Sequence, residues 1–89
     1  MRVEIPEGVV FERLEDSMIV LELSSGMYYS LNPTGALLWE LLEESGDTDR
    51  VLERMQVAYP DVPVERICRD IDEVLGELQK RHLIVLPEV

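Results

Sequence analysis

The sequence contains few of the side chains that carry enzymatic chemistry. Its 89 residues include one cysteine, Cys68, and one histidine, His82. A single cysteine cannot form an internal disulfide, and these two residues cannot complete a zinc site or a Cys–His–Asn arrangement. The five glycines are dispersed singly, so the chain has no glycine-rich loop that would hold a phosphate. We therefore expect no enzymatic activity, no metal and no cofactor.

Both single residues have structural interpretations. Cys68 falls within the apolar stripe of a predicted helix, where a buried thiol behaves as a small hydrophobe. His82 follows the same helix, and a cation there complements the helix dipole. The acidic residues of that helix are most simply a solvated face.

Basic residues are also scarce. Eight Lys and Arg residues stand against 19 Asp and Glu residues, which gives a formal net charge of −11. Acidic residues outnumber basic residues in every third of the chain, so the net charge of the whole chain does not conceal a basic segment. Binding to nucleic acid or to an anionic membrane surface depends on Lys and Arg, and the charge argues against both. The acidity promotes solubility and would attract a basic peptide or protein surface.

Long apolar runs are absent as well. The sequence has no stretch of about 18 apolar residues and no signal-peptide pattern, so we expect a cytoplasmic protein. Hydrophobic residues make up 46% of the chain but aromatic residues only 6%, so the core must be aliphatic. The length suits one domain, residues 1–89.

Three apolar segments, residues 8–14, 17–23 and 27–31, predict an antiparallel meander. The unbroken apolar run 18–21 is typical of a central strand covered on both faces. The third strand then lies at an edge, and it has no Lys or Pro of the kind that usually blocks an edge. This edge is therefore either covered by the domain or open to a partner.

Three helices are predicted to follow. Asn32 caps the first, which begins at Pro33 and ends near Gly46, because Asn and Pro are favoured at these positions. The second helix begins after Asp47 or Thr48 and reaches residue 59. Apolar residues at helical spacing predict the third over residues 64–81. A short apolar segment, 83–86, could pack back as a strand.

The element order βββααα predicts an α+β domain, in which a three-stranded antiparallel β-meander is followed by three helices on one face of the sheet. The second and third helices with the adjoining strands also resemble a winged helix-turn-helix. No linker or internal repeat is visible.

The order of residues around the first helix resembles that of the PqqD family and of its relatives called RiPP recognition elements. The matching residues are Tyr29, Leu31, Asn32, Thr34, Gly35, Ala36, Trp39, Glu40, Leu41 and Leu42, followed by Asp70, Val74, Leu75, Leu78, Leu83 and Ile84. The resemblance covers about residues 8–86. It implies a protein that holds the leader segment of a ribosomally made precursor peptide as an added strand, between the third strand and the third helix, and delivers it to a modifying enzyme.

The resemblance also implies which residues bind the leader. The pairing edge is Met27, Tyr28, Tyr29, Ser30 and Leu31. The apolar stripe of the third helix is wider on the side of Ile67 and Val74 than on the side of Cys68, which predicts the opposite wall. This wall comprises Ile67, Asp70, Ile71 and Val74, and Asp70 or Glu77 would meet a basic leader residue. The three apolar residues of the wall fit a plain core equally well, and the sequence does not decide whether Tyr28 or Tyr29 flanks the ligand.

Relatives of this size occur in lasso-peptide pathways, beside a leader peptidase and an ATP-dependent cyclase. We prefer this assignment on overall resemblance, with a chaperone of the pyrroloquinoline-quinone precursor and a radical enzyme as the alternative. A winged-helix DNA-binding regulator and a homodimer that pairs its own edge strands are further hypotheses. The charge argues against the regulator.

Overall fold

The computed structural model of the protein describes residues 2–86 and has the predicted order of elements. The elements are β1 (Val9–Leu14), β2 (Ser17–Glu22), β3 (Tyr28–Leu31), α1 (Pro33–Ser45), α2 (Thr48–Ala58) and α3 (Val64–Lys80). Each observed boundary lies within one residue of the predicted one. The predicted α+β fold, an antiparallel meander followed by three helices, is confirmed.

The sheet has the order β1-β2-β3, so β3 lies at an edge as predicted. Helix α1 contacts β2 and β3 on one face of the sheet. On that face Met18 and Val20 are completely buried, whereas Ile19 and Leu21 on the other face are only half-buried. The prediction that β2 is covered on both faces is therefore wrong. The run of apolar residues arises because the outer face is apolar too, although no helix covers it among residues 2–86.

Helix α1 occupies the centre of the molecule. The Asn32 side chain accepts a hydrogen bond from the Gly35 N–H at 2.8 Å, and Pro33 takes the first helical position. Gly46 ends the helix with a φ of 67°, a left-handed conformation that favours glycine. Because Trp39 is fully buried between sheet and helices, the broad apolar stripe of α1 contacts two layers at once.

Helices α2 and α3 complete the core. Asp47 caps α2 by accepting a hydrogen bond from the Asp49 N–H at 3.0 Å. The buried residues of α3 are Ile67, Ile71, Leu75 and Leu78. Cys68 is only half-buried, contrary to expectation, because it lies at the border of this stripe. His82 is exposed directly after the helix, with a φ of 59°.

The ends of the described chain pack against each other. Val3 donates its N–H to the Gly46 carbonyl at 2.6 Å, and Glu4 pairs with Val85 through an isolated bridge. The segment 83–86 thus packs back as expected, with Leu83 and Ile84 buried, but it forms one bridge and not a strand. Between residues 2 and 86, no helix has the length and apolar character needed to span a bilayer.

Candidate functional site

A groove of about 930 Å³ lies between α3 and the segment in which β3 passes into α1. Tyr29 contributes from β3, Thr34 and Leu38 from α1, and Met55 and Tyr59 from α2 and its C-terminal cap. The opposite wall is formed by α3 over almost its whole length. This volume lies in the range of pockets that bind ligands.

The backbone of β3 presents unpaired hydrogen-bonding groups beside this groove. Glu22 donates its N–H to the Met27 carbonyl at 2.8 Å, and the register places Tyr29 opposite Val20. Antiparallel neighbours alternate between bonded and non-bonded pairs, so Tyr29 bonds to β2 while Tyr28 directs its N–H and C=O away from the sheet.

The same alternation applies to Ser30, whose N–H and C=O also point outward. On the other side of β2, the Leu23 N–H donates to the Gly8 carbonyl at 2.9 Å, which agrees with this phase of the ladder. Among residues 2–86, no hydrogen bond reaches the outward groups of Tyr28 or Ser30. The edge is open in this part of the chain.

The two tyrosines lie on opposite faces of the sheet. Tyr28 is 62% exposed on the outer face. Tyr29 is half-buried on the helix face and lines the groove, and the Arg81 guanidinium lies 4.6 Å from the centre of its ring. Of the two rings, Tyr29 is therefore the one positioned to flank a ligand in the groove.

The predicted wall residues do lie together in the groove, with Tyr29 across from them. Asp70, Val74 and Glu77 of α3 line it, as do Ile67 and Ile71. Ile67 is only 4% exposed and Ile71 only 6%, so both belong to the core and reach the groove with little of their surface. The structure thus places both residues in the core, and their contact with a leader stays a prediction.

The predicted pairing edge is divided between two environments. Met27, Tyr28 and Ser30 border a shallow depression together with Arg81, next to the groove. Leu31 is 3% exposed, and its side chain packs in the core. Contact of these residues with a ligand stays a prediction.

The acidic side chains of α3 along the groove differ in whether they already form an ion pair. Arg81 forms an ion pair with Glu77 one helical turn away, and its hydrogen bond holds the pKa of Glu77 below the usual range. Asp70 and Glu73 also line the groove, and neither has an ion-pair partner among residues 2–86. Asp70 is therefore better placed than Glu77 to meet a basic ligand.

Tyr59 in the groove and Arg81 beside it were missed by the sequence analysis. Tyr59, which follows α2, shares a hydrogen bond of 3.2 Å with the Thr34 hydroxyl and brings α2 into the groove. Its position depends on how α2 packs, which no local pattern reveals. Arg81 had a usable signal, because its i,i+4 spacing from Glu77 favours an ion pair.

Nothing in the described residues resembles a metal centre. Residues 2–86 contain no group of His, Cys, Asp and Glu side chains arranged to hold a metal ion.

Comparison with known proteins identifies related folds and a family. The chain is similar to TbiB1 in complex with the TbiA(beta) leader peptide, with a TM-score of 0.87 and 26% identity over 97% of this chain and 99% of that one. A lasso peptide synthetase B1 complexed with the leader peptide has the same fold, with a TM-score of 0.81 and 20% identity over 97% and 100% of the two chains. None of the curated proteins matches.

The family model described as Coenzyme PQQ synthesis protein D (PqqD) matches residues 17–84. This range includes β2, β3 and all three helices, and with them the whole groove. The chain belongs to the PqqD family.

Proposed function

We propose that this protein is a non-catalytic adaptor that binds the leader segment of a ribosomally synthesised precursor peptide. The leader adds as a strand to β3 and lies against α3, and the adaptor presents it to the leader peptidase and cyclase of a lasso-peptide pathway. The observation that carries the proposal is the open edge at Tyr28 and Ser30 beside the groove. Ribosomes release such precursors in the cytosol, which is where this function places the protein.

Strand addition uses the backbone for affinity and the side chains for specificity. Tyr28 and Ser30 together offer two N–H donors and two C=O acceptors to an incoming strand. Alternate side chains of that strand would point toward the helices, where Tyr29 and Val74 provide apolar contacts. No chemical step by this protein is required.

Charge supports a leader with a basic residue near the groove. The chain carries a net charge of −11, and Asp70 is exposed on the groove wall. The negative net charge of the chain would not steer an acidic leader toward it.

The alternative function is that of a chaperone for the pyrroloquinoline-quinone precursor, acting with a radical enzyme. The description of the family, coenzyme PQQ synthesis, favours it. The two functions share the groove and differ in the peptide and enzyme that are recognised, so binding of the two precursors distinguishes them.

Calorimetric titration with the leader peptide encoded in the same gene cluster tests the proposal. We expect about 1:1 binding with a micromolar or lower Kd, equivalent to about −8 kcal/mol or better. Asp70→Asn should weaken binding of a leader with a basic residue about two- to fivefold at low salt and less at high salt, since the site is exposed. Asp61→Asn, an equal charge change outside the groove, is the control. Absence of binding to leader peptides of either pathway would refute the adaptor function.

A further inference from the structure

The side of the sheet that faces away from the helices forms a second surface. Directly opposite residues of antiparallel strands share a face, so the register identifies this outer sheet face. It consists of Val10, Glu12, Leu14, Ser17, Ile19, Leu21, Leu23, Tyr28 and Ser30. The helices pack on the opposite face, against Met18, Val20 and Leu31.

The outer sheet face is apolar and exposed. Leu23 is 61% exposed and Tyr28 62%, and Val10 and Leu14 are exposed by 42% and 44%. Glu12 is the only charged residue of this face, although charged residues make up 30% of the chain. A contiguous apolar patch of a few hundred Å² is often a functional surface.

The size of the face restricts that partner. Strands of six residues spaced as in ordinary sheets give an area of about 20 by 15 Å, roughly 300 Å². A stable interface buries about 800 Å² on each partner, so any partner that docks here must also contact residues beyond the face. Two copies would bring together two net charges of −11. A second copy of the chain is therefore disfavoured.

A leader strand on β3 would enlarge this surface. It would continue the sheet past Tyr28 by about 5 Å and add its own outward side chains to the outer sheet face. A protein that docks there would contact adaptor and leader together, and its affinity would depend on the leader. By linkage, such a partner would strengthen leader binding by the same factor.

We propose that the outer sheet face, extended by the bound leader, is the docking surface for the enzyme that processes the precursor peptide. This inference rests on the proposed leader binding. The partner presents a shallow apolar surface to Val10, Leu23 and Tyr28. It discriminates the loaded adaptor from the empty one because only the loaded form adds the outward side chains of the leader to the outer sheet face.

The test uses Leu23→Lys and Val10→Lys, with Val57→Lys as the matched control. Val57 lies on α2, is 76% exposed, and undergoes the same change of charge. Anisotropy with a labelled leader peptide measures leader affinity, and mass spectrometry measures turnover of the full precursor by the processing enzyme of the same gene cluster. We expect leader affinity within about twofold of wild type for all three variants. The enzyme's KM for the loaded adaptor should rise about tenfold or more for the two outer-face variants only, with kcat unchanged.

Three results would overturn the inference. Normal processing with both outer-face variants would refute the docking surface and leave the adaptor function intact. Failure of the wild-type protein to bind the leader would refute both. Sedimentation that detects a wild-type dimer, lost in Leu23→Lys but kept in Val57→Lys, would assign the face to a second copy.

Discussion

Single residues at the β2–β3 turn fix the start of the open edge. The Glu22 carboxylate accepts hydrogen bonds from the Ser24 hydroxyl and N–H and from the Ser25 N–H. Gly26 follows with a φ of 73°, which suits glycine, and the chain then enters β3. The geometry of this turn sets which residues of β3 face outward, because it sets the phase of the ladder.

The turn should be sensitive to acid. Hydrogen bonds from Ser24, and then Ser25, lower the pKa of Glu22 from 4.5 to about 2. A pKa lowered by folding contributes stability that is complete above the unfolded value and is lost as pH falls through the folded value. The free energy of unfolding of wild type should therefore exceed that of Glu22→Gln at neutral pH. The difference should shrink between pH 4.5 and about 2.

Urea unfolding of the two proteins at several pH values measures this difference. Gln resembles a protonated Glu, because it lacks the charge and has one acceptor oxygen fewer than the carboxylate. A difference that stays constant from neutral pH to pH 2.5 would contradict the role of the Glu22 carboxylate.

At the scale of elements, local signals placed the helices and strands well. Asn32 and Pro33 specify the start of α1, and Gly46 specifies its end through its positive φ. The apolar run of β2 was misleading. It shows that the side chains on both faces of the strand are apolar, but it does not show that other elements cover both faces. Coverage depends on where α1 packs, and that is a tertiary property.

The junction of α1 and α2 offers a test of element packing. An ideal Cβ on Gly46 would lie 2.9 Å from the Val3 carbonyl oxygen, and the positive φ adds strain of its own. Gly46→Ala should reduce the free energy of unfolding by about 2–3 kcal/mol. Gly76→Ala in α3 is the control, since a Cβ there meets nothing within 4 Å and should stabilise the helix by about 0.5–1 kcal/mol. Equal effects of the two substitutions in denaturant unfolding would contradict this account.

At the scale of the whole molecule, the site joins β3 to α3, about forty residues later in the chain. The stripe on α3 predicted that Ile67, Asp70 and Val74 would share a wall, and the structure brings them together. Which of Tyr28 and Tyr29 faces the groove depends on how the sheet is oriented relative to the helices. The sequence of β3 alone does not encode that orientation. The entry of Tyr59 into the groove depends likewise on how α2 packs.

The acidity is also a property of the whole molecule. The net charge of −11 and the scarcity of Lys and Arg argue against a winged-helix DNA-binding protein, whose affinity depends on phosphate contacts. The outer sheet face differs from this acidic average, because Glu12 is the one charged residue among its nine. The proposed function uses two surfaces, the edge and groove for the leader and the outer sheet face for the enzyme.

Proline substitution tests strand addition at β3 most directly. Ser30→Pro removes an outward N–H, and Ser30→Ala removes only the hydroxyl. Arg13→Pro removes the equivalent outward N–H from β1, the opposite edge. With folding verified by circular dichroism, we expect Ser30→Pro to weaken leader binding about tenfold or more, measured by anisotropy, and the other two variants to bind as wild type does. Leader affinity unchanged in a folded Ser30→Pro protein would contradict the account.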